Sequence, residues 1–238
     1  MALDGPGSSG KSTVGAEAAR RLGYRFCDTG LLYRAVAWLA LERGVAPTDV
    51  VALVPLVGEV RLVADACGRL CHVHAGGRDV TTEVCEASVD RVVSDYARVS
   101  ELRSALVTRQ RRIASSGGII MAGRDIGTAI LPDAPVKIFL DASAEERAKR
   151  RAVQRKTTDA GEVDQILADL RRRDAIDTNR EVAPLRIAPD ALILHTDGSS
   201  FEETVGAVVR TIRDAAGRAA DAAGLAAKTR AGRDGRGR

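Results

Sequence analysis

The sequence predicts an α/β fold of three layers, in which helices cover both faces of a central parallel sheet of five strands. Short runs rich in isoleucine, valine and leucine alternate with longer helical segments, and strands of that composition are typical of sheets buried on both faces. The first such run is followed at once by a glycine-rich loop and a helix. The chain has 238 residues, 45% of them hydrophobic, which suffices for a buried core.

The elements of this sheet are predicted in chain order. The five strands are expected at residues 2–4, 25–27, 119–121, 136–140 and 191–195. The first helix begins at Lys11 or Ser12 and ends before Gly23, which suits a left-handed C-cap. A second helix is expected over residues 30–43. Its N-terminus directly follows a strand end, which is where doubly wound folds bind ligands.

Two segments depart from the alternation. Residues 60–80 contain short strands joined by glycine-containing turns, which predicts a small antiparallel β element inserted between helices. Residues 143–180 carry charges on nearly every turn and show little sustained apolar face apart from Val163, Ile166, Leu167 and Leu170. Since a charged helical pair of this kind packs weakly on a core, the second segment is predicted to be mobile.

The strongest motif is the loop between the first strand and the first helix. It reads Gly5-Pro6-Gly7-Ser8-Ser9-Gly10-Lys11-Ser12 and fits the phosphate-binding pattern GxxxxGK[ST], the P-loop. Its glycines let backbone N–H groups surround phosphate oxygens, and the helix N-terminus adds partial positive charge. Lys11 is suited to the β- and γ-phosphates and Ser12 to Mg²⁺. We therefore expect these residues, with Thr13, to bind a nucleoside triphosphate.

The P-loop alone leaves three function classes open: a GTPase, an ATPase motor and a small-molecule kinase. The guanine-recognition motif NKxD does not occur in the sequence, which weakens the first class. A motor would need a larger chain or evident surfaces for partners. The choice therefore depends on the residues elsewhere in the chain that would surround the phosphates.

Three arginine-containing segments favour the kinase. They span residues 29–34, 123–127 and 171–180, each near a predicted strand end, a helix start or the mobile charged segment. Phosphoryl transfer spreads charge over the phosphate oxygens, so catalysis rests on positioning and electrostatic stabilisation. The guanidinium fork also grips a second, accepting phosphate. Taken singly, each segment is equally compatible with a solvated helix face carrying ion pairs.

Charge and composition argue against a nucleic-acid partner. The formal net charge is +4, and residues 215–238, with six Lys/Arg and two Asp/Glu, account for all of it. This tail is rich in alanine, glycine and arginine and is predicted to be disordered, with at most a frayed helix at its start, because it has little apolar surface to pack. Aromatic residues make up 3% of the chain and are scattered, so they form no stacking platform for single-stranded bases.

Neither a membrane segment nor a metal finger is expected. The longest apolar run, residues 50–57, is far shorter than the roughly 20 residues that span a bilayer. With no leader-like N-terminus, a cytoplasmic location is predicted. Four possible zinc ligands lie close together, but their spacing is not that of a zinc finger: Cys67, Cys71, His72 and His74. Reduced thiols packed as small hydrophobes are favoured over zinc.

Several segments, in order, carry a family resemblance. They read DGPGSSGKST, DTGLLYRA, GRDIGT, PDAPVKIFLDAS-x-EERAKRR, RRRDAIDTNR and APL-x-x-APDAL-x-L. Together they closely resemble bacterial cytidylate kinase, also called CMP kinase, over residues 3–212. GRDIGT and RDAIDTNR are the most specific of them, because other nucleoside monophosphate kinases carry different sequences there. The β-rich insert also fits this family.

The resemblance implies transfer of the γ-phosphoryl group of ATP to CMP or dCMP, with Mg²⁺ as cofactor and Ser12 as its ligand. It implies an acceptor site in which Arg34, Arg124 and Arg180 hold the phosphate. Cytosine is read by Ser94, Arg103 and Asp125. Arg173 and Asp177 lie near the sugar, and Thr29 and Tyr33 also belong to this site. The residues expected to act in catalysis are Lys11, Arg124, Arg151 and Arg180. Arg150 is expected to contact ATP.

The resemblance also implies a division into parts. The core is expected at residues 1–34, 103–146 and 181–214, the monophosphate-binding domain with its β insert at 35–102, the lid at 147–180 and the basic tail at 215–238. The lid arginines Arg150, Arg151, Arg173 and Arg180 would reach the phosphates on closure, which excludes water.

One position departs from the family pattern. Many members carry an acidic residue directly before Gly-Arg-Asp, where this chain has Ala122. If that acid orders a water on Mg²⁺, then Asp4 or Asp125 is expected to take its place.

Two alternatives remain open on the sequence. The first is a kinase of the same fold acting on UMP, AMP or a metabolite such as shikimate. The second is a nucleic-acid-dependent ATPase that uses the basic tail. Nothing in the sequence requires a dimer, so a monomer is expected.

Overall fold

The structure is a computed structural model that describes residues 1–234, with side chains described as far as residue 218. The strands within this range are β1 (Ala2–Asp4), β2 (Arg25–Asp28), β3 (Val60–Ala64), β4 (Arg69–Ala75), β5 (Arg78–Asp79), β6 (Ile119–Gly123), β7 (Lys137–Asp141) and β8 (Leu192–His195). The helices are α1 (Lys11–Leu22), α2 (Gly30–Glu42), α3 (Val50–Leu53), α4 (Ala87–Ala97), α5 (Ser100–Ala114), α6 (Ala144–Arg155), α7 (Ala160–Asn179) and α8 (Phe201–Asp234).

The strands form one sheet, with the order β3-β4-β2-β6-β1-β7-β8 and β5 paired to β4. The five strands from β2 to β8 in this order are all parallel to one another. In the centre, Leu3 of β1 is aligned with Ala122 of β6 and Ile138 of β7. The predicted five-stranded parallel sheet is therefore confirmed.

The antiparallel β element continues this sheet. β3 and β5 are antiparallel to β4, as the turn pattern predicted. β4, however, pairs in parallel with β2, through Phe26 and Arg69 and through Cys27 and Leu70. The sheet consequently has eight strands within the described residues. The turns showed that residues 60–80 form hairpins, but the edge on which they dock depends on distant pairing.

Helices cover both faces of the sheet because alternate strand residues point to opposite sides. Leu3 and Ile120 pack in one apolar core with Val14 of α1 and Val205 of α8. Their neighbours in sequence, Ala2 and Met121, belong to a different core, against which α5 packs. A further core joins α2 with α4 and α5.

Helix α1 approaches the sheet closely through Gly15. A Cβ atom on this residue would lie 2.5 Å from the ring of Phe26 and 2.8 Å from the side chain of Leu3. The helix ends at Gly23, whose φ of 67° gives the predicted left-handed C-cap. The close packing holds the N-terminus of α1, and with it the P-loop, at the carboxyl end of β1.

Helices α6 and α7 pair with each other over a small core of their own. Ala148, Ala152, Ile166 and Leu170 are buried there, with Val163 and Leu167 packed at its edge. Each helix has an N-cap: Ser143 accepts a hydrogen bond from the Glu146 N–H and Asp159 from the Glu162 N–H. This pair corresponds to the charged segment that the sequence predicted to be mobile.

The last helix extends further than expected. Residues 215–234 continue α8, whereas the sequence predicted disorder over residues 215–238. Alanine has the highest helix propensity of the amino acids, which accounts for a helical backbone without an apolar face. The rest of the predicted tail, residues 235–238, lies outside the described residues. Within residues 1–234, we find no helix with the length and apolarity to cross a membrane.

Candidate active site

The P-loop wraps around the N-terminus of α1. Gly5 has a φ of 149°, and a Cβ atom there would lie 2.2 Å from the carbonyl oxygen of Leu140, so the turn after β1 requires glycine. Gly10, with a φ of 95°, leads into the helix. Thr13 donates its hydroxyl to the Gly10 carbonyl at 3.0 Å. The loop thus has the shape that the GxxxxGK[ST] pattern predicted.

Lys11 is buried inside this loop. Its Nζ donates to the carbonyl oxygen of Pro6 at 2.6 Å and to Oγ of Ser9 at 3.3 Å. Burial, followed by repulsion from Arg124, lowers the pKa of Lys11 well below its usual range. A bound phosphate would oppose both effects, because a negative charge beside Lys11 favours its protonated form.

Ser12 and Asp28 are joined at the mouth of the loop. The Ser12 hydroxyl donates to Oδ2 of Asp28, whose Oδ1 accepts the Gly30 N–H at 2.9 Å. A hydroxyl and a carboxylate side by side are the oxygen ligands that Mg²⁺ prefers, so these residues fit the ion. Asp28 was not among the predicted site residues. Its position at the end of a strand, before Thr29-Gly30, was the available signal.

Neither acid expected to compensate for Ala122 contacts Ser12. Asp4 accepts the backbone N–H of Ile126 at 2.8 Å and that of Gly127 at 2.7 Å. Asp125 is engaged by arginines, as described below. The carboxylate bonded to Ser12 is therefore that of Asp28, and the expectation that Asp4 or Asp125 replaces the family's acid stays a prediction.

Asp4 instead fixes the turn that follows β6. Its two backbone hydrogen bonds hold the π-helical turn Ile126–Ile130 against β1. Burial raises the pKa of Asp4 to about 6, although both hydrogen bonds oppose this shift. The same turn begins directly after Arg124 and Asp125. Asp4 therefore links the strand that precedes the P-loop to the predicted acceptor-binding residues.

A buried polar pocket surrounds Asp125. Its carboxylate accepts from Arg103 and lies 3.4 Å from the guanidinium of Arg180. The guanidinium of Arg103 also lies 5.5 Å from the centre of the Tyr33 ring. Arg103 is only 2% exposed, so it is a buried residue of α5. Ser94, on α4, is buried as well.

Several polar atoms of this pocket make no hydrogen bond within the described residues. They are Nε of Arg103, the Tyr33 hydroxyl, which lies near the Gln110 side chain, and Nη2 of Arg180, whose one polar contact is the 3.4 Å ion pair with Asp125. Buried polar groups are nearly always paired, because an unpaired one costs about 1–3 kcal/mol. Unpaired donors around one carboxylate therefore indicate a place for a polar ligand.

Asp177 gathers a second set of arginines next to the P-loop. Nε of Arg124 donates to its Oδ2 at 2.6 Å. Burial opposes ionisation of Asp177, but attraction from Arg124, Arg180 and Arg173 prevails and lowers its pKa. Arg124 also lies against the loop, since a Cβ atom on Gly7 would be 3.4 Å from its terminal nitrogen.

Three further predicted arginines surround Asp90 on α4. Arg34 and Arg151 both donate to its carboxylate, and Nη1 of Arg173 lies 3.3 Å from Oδ1. Arg34 also donates to the Val84 carbonyl at 3.0 Å. The arginines predicted to hold one phosphate thus have separate partners here: Asp90 for Arg34, Asp177 for Arg124 and Asp125 for Arg180.

Two arginines of the predicted lid contact the P-loop itself. Arg150 donates to the Ser9 carbonyl at 3.4 Å and to the carbonyl and hydroxyl of Thr196, at 2.7 and 3.0 Å. Arg147, which sequence reasoning missed, donates to the Gly7 carbonyl at 3.0 Å and to Asp174 at 2.6 Å. Within the charge-rich helix, no local signal distinguishes Arg147 from its neighbours, because its partners lie far away in sequence.

Thr29 connects the acceptor side to β6. Its backbone N–H and its hydroxyl both donate to the Ala122 carbonyl at 2.9 Å. The side chain is buried, so its hydroxyl is already committed to the sheet. The structure therefore gives Thr29 a positioning role at the start of α2, beside the predicted ligand contacts of Tyr33 and Arg34.

Comparison with known proteins gives one consistent result. A family model described as cytidylate kinase matches residues 1–214. A cytidylate kinase of Geobacillus sp. (strain WCH70) is 41% identical over 220 residues, covering 91% of this chain and 97% of that protein. One of Mycolicibacterium paratuberculosis is 44% identical over 216 residues, covering 90% and 93%. One of Exiguobacterium sp. is 42% identical over 217 residues, covering 90% and 96%.

Proposed function

Because this chain belongs to the cytidylate kinase family, we propose a role for each group of site residues in the reaction of that family. The enzyme transfers the γ-phosphoryl group of ATP to CMP or dCMP and releases ADP with CDP or dCDP. The assignment of residues rests on a series of contacts that starts at the P-loop. Arg124 lies against the loop and bonds to Asp177, and Arg180 acts on both Asp177 and Asp125 in the buried pocket.

The donor is bound at the P-loop. Backbone N–H groups of the loop and Nζ of Lys11 surround the β- and γ-phosphates, and their negative charge relieves the repulsion between Lys11 and Arg124. Mg²⁺, held by Ser12 and Asp28, would neutralise phosphate charge when bound. Arg147 and Arg150 support the loop from the lid helix α6.

The acceptor is bound opposite Lys11. Asp125 accepts from the exocyclic amino group of cytosine, while Arg103 donates to its ring acceptors, with Ser94 contributing a hydroxyl. Uracil has a carbonyl where cytosine has the amino group, so the Asp125 carboxylate would face it without a donor. Arg34, Arg124 and Arg180 grip the acceptor phosphate, and Arg173 with Asp177 lies near the sugar.

The lid supplies the remaining positive charge. Arg151, Arg173 and Arg180 belong to or follow the helix pair α6 and α7. With the lid closed, their guanidinium groups stabilise the charge that spreads over the transferring phosphoryl group, and water is excluded. In this proposal one chain supplies the residues of both nucleotide sites, which supports a monomer, and the substrates support a cytoplasmic location.

A substrate panel tests the proposed function. ADP formation from ATP is measured with CMP, dCMP, UMP and AMP as acceptors, and we expect CMP and dCMP to be used best. A preference for UMP or AMP would overturn the assignment of Asp125 as the base reader. A variant lacking residues 215–238 is the control for the rival ATPase. RNA-stimulated ATP hydrolysis that disappears with this tail would favour that rival.

A further inference from the structure

Asp90 is a buried carboxylate to which the reaction described above gives no role. It lies on α4 and is 7% exposed. Its Oδ1 accepts from Arg34 and, at 3.3 Å, from Arg173. Its Oδ2 accepts from Arg151 and, at 3.5 Å, from Arg155. One carboxylate is therefore shared among four guanidinium groups.

These contacts join parts of the chain that are distant in sequence. Arg34 comes from α2, Arg151 and Arg155 from α6, and Arg173 from α7. Burial opposes ionisation of Asp90, but attraction from Arg34, Arg151 and Arg173 prevails and lowers its pKa to about 2. The carboxylate is consequently charged at any pH near neutrality, and it ties both lid helices to α4.

A cavity of about 200 Å³ lies beside this cluster, between α4 and the lid helices. Five arginines line it against two acids, Asp90 and Asp169. Arg173 and Arg151 line this cavity and are also bonded to Asp90. Because arginines outnumber acids in its lining, the cavity favours the entry of an anion, which would compete with Asp90 for the arginines.

We propose that Asp90 is an internal counterion of the acceptor site: without nucleotide it holds the lid helices against α4, and the phosphate of CMP takes its place on Arg34. This inference rests on the proposed function for the identity of the acceptor. A phosphate monoester carries about −1.5 to −2 charge and three acceptor oxygens, so it outcompetes a carboxylate with one charge and two oxygens. Asp90 is thus a positioning residue, since it acts through the arginines.

The test compares Asp90→Asn with the wild-type enzyme. The substitution keeps the size of the side chain and removes the competing charge. Without ATP, we expect the variant to bind CMP about tenfold more tightly, because the coupling between competing sites is typically of this order. Cytidine, which lacks the phosphate, should bind both proteins equally. The CMP affinity of the variant should also fall more steeply with salt, because dissolved anions replace Asp90 as counterions.

Asp95→Asn is the matched control. It removes the same charge from the same helix, and the described side chains show no ion pair between Asp95 and any of the four arginines. Both affinities are measured by isothermal titration calorimetry. CMP affinity that is unchanged or weaker in Asp90→Asn, or an equal gain for cytidine, overturns the proposal. Failure of the proposed function would be seen separately, because the wild-type enzyme would then not phosphorylate CMP.

A second measurement uses the wild-type enzyme and tests the proposal even if Asp90→Asn does not fold. Amide hydrogen exchange of the wild-type enzyme, free of nucleotide, is followed at low and at high salt. If Asp90 holds the lid, amides of α6 and α7 should exchange several-fold faster at high salt, while those of α1 should not. Equal salt dependence in the three helices would contradict the proposal.

Discussion

Replacing Asp4 with asparagine should change how the stability of the enzyme depends on pH. The carboxylate is buried, and its pKa of about 6 exceeds the ordinary 3.8 of an aspartate. Between these values the folded state holds a proton that the unfolded state has lost, so folding stability from this group decreases as pH rises through that window. A difference of about 2 pKa units, at about 1.4 kcal/mol each, gives about 3 kcal/mol between pH 4 and pH 7.

Asparagine cannot titrate, so the variant should lack this part of the pH dependence. It also leaves one of the two backbone N–H groups, of Ile126 or Gly127, without an acceptor, which costs about 1–3 kcal/mol at every pH. Relative to wild type, the variant should therefore gain about 3 kcal/mol on going from pH 4 to pH 7, whatever the cost of the lost hydrogen bond.

Urea unfolding at several pH values measures this difference. Trp38 is the single tryptophan of the chain and is buried, so its fluorescence reports unfolding. Asp133→Asn, at an exposed acid, serves as control and should follow wild type. Parallel curves of stability against pH for wild type and Asp4→Asn would refute the reasoning. In assays of activity, the displaced turn should raise KM for CMP about tenfold, or ~1.4 kcal/mol, and leave KM for ATP unchanged.

The other predictions concern single contacts of the site. Lys11→Ala should abolish turnover with every acceptor, since the buried cation at the P-loop is lost; measurable ADP formation with CMP would contradict this. Asp125→Ala should lower kcat/KM for CMP by about 100-fold or more, as expected when buried donors lose their partner, while ATP binding measured by calorimetry stays near wild type. Equal losses for both nucleotides would show that Asp125 does not read the base. Asp28→Asn should raise the Mg²⁺ concentration for half-maximal activity about tenfold, as for other groups that support a metal ligand; an unchanged Mg²⁺ titration would remove Asp28 from the metal site.

The features that were predictable from the sequence depend on residues close together in the chain. The P-loop is specified by eight consecutive residues, and the cap at Gly23 follows from local conformation. The five parallel strands follow from alternation with helices. In contrast, the docking of β4 on β2 depends on a pairing across more than forty residues. Turn signals show a hairpin but carry no information on which sheet edge it joins.

Two of the residues that the sequence did not reveal, Asp90 and Arg147, were missed because their partners are distant in the chain. Asp90 and Arg147 lie on helices whose other faces are charged too, and the partners named above are 27 to 140 residues away. Nothing in their local sequence distinguishes a buried ion pair from a solvated one. Asp28 differs, because its place at a strand end before a helix was visible. The resemblance to a family supplied Ser94 and Arg103, which periodicity would have left unnoticed.

The acids of the site differ in how easily a ligand can displace them. Asp125 is held by Arg103 and Arg180, whose side chains are only 3% and 4% exposed, so this pairing is rigid and suits the recognition of a base. Asp90 is held by Arg34 and Arg173, each 18% exposed, next to an open cavity. Exchange of a carboxylate for a phosphate costs least where water and ions already have access. The burial of the partner arginines therefore distinguishes the pocket proposed to read the base from the site proposed to exchange a carboxylate for a phosphate.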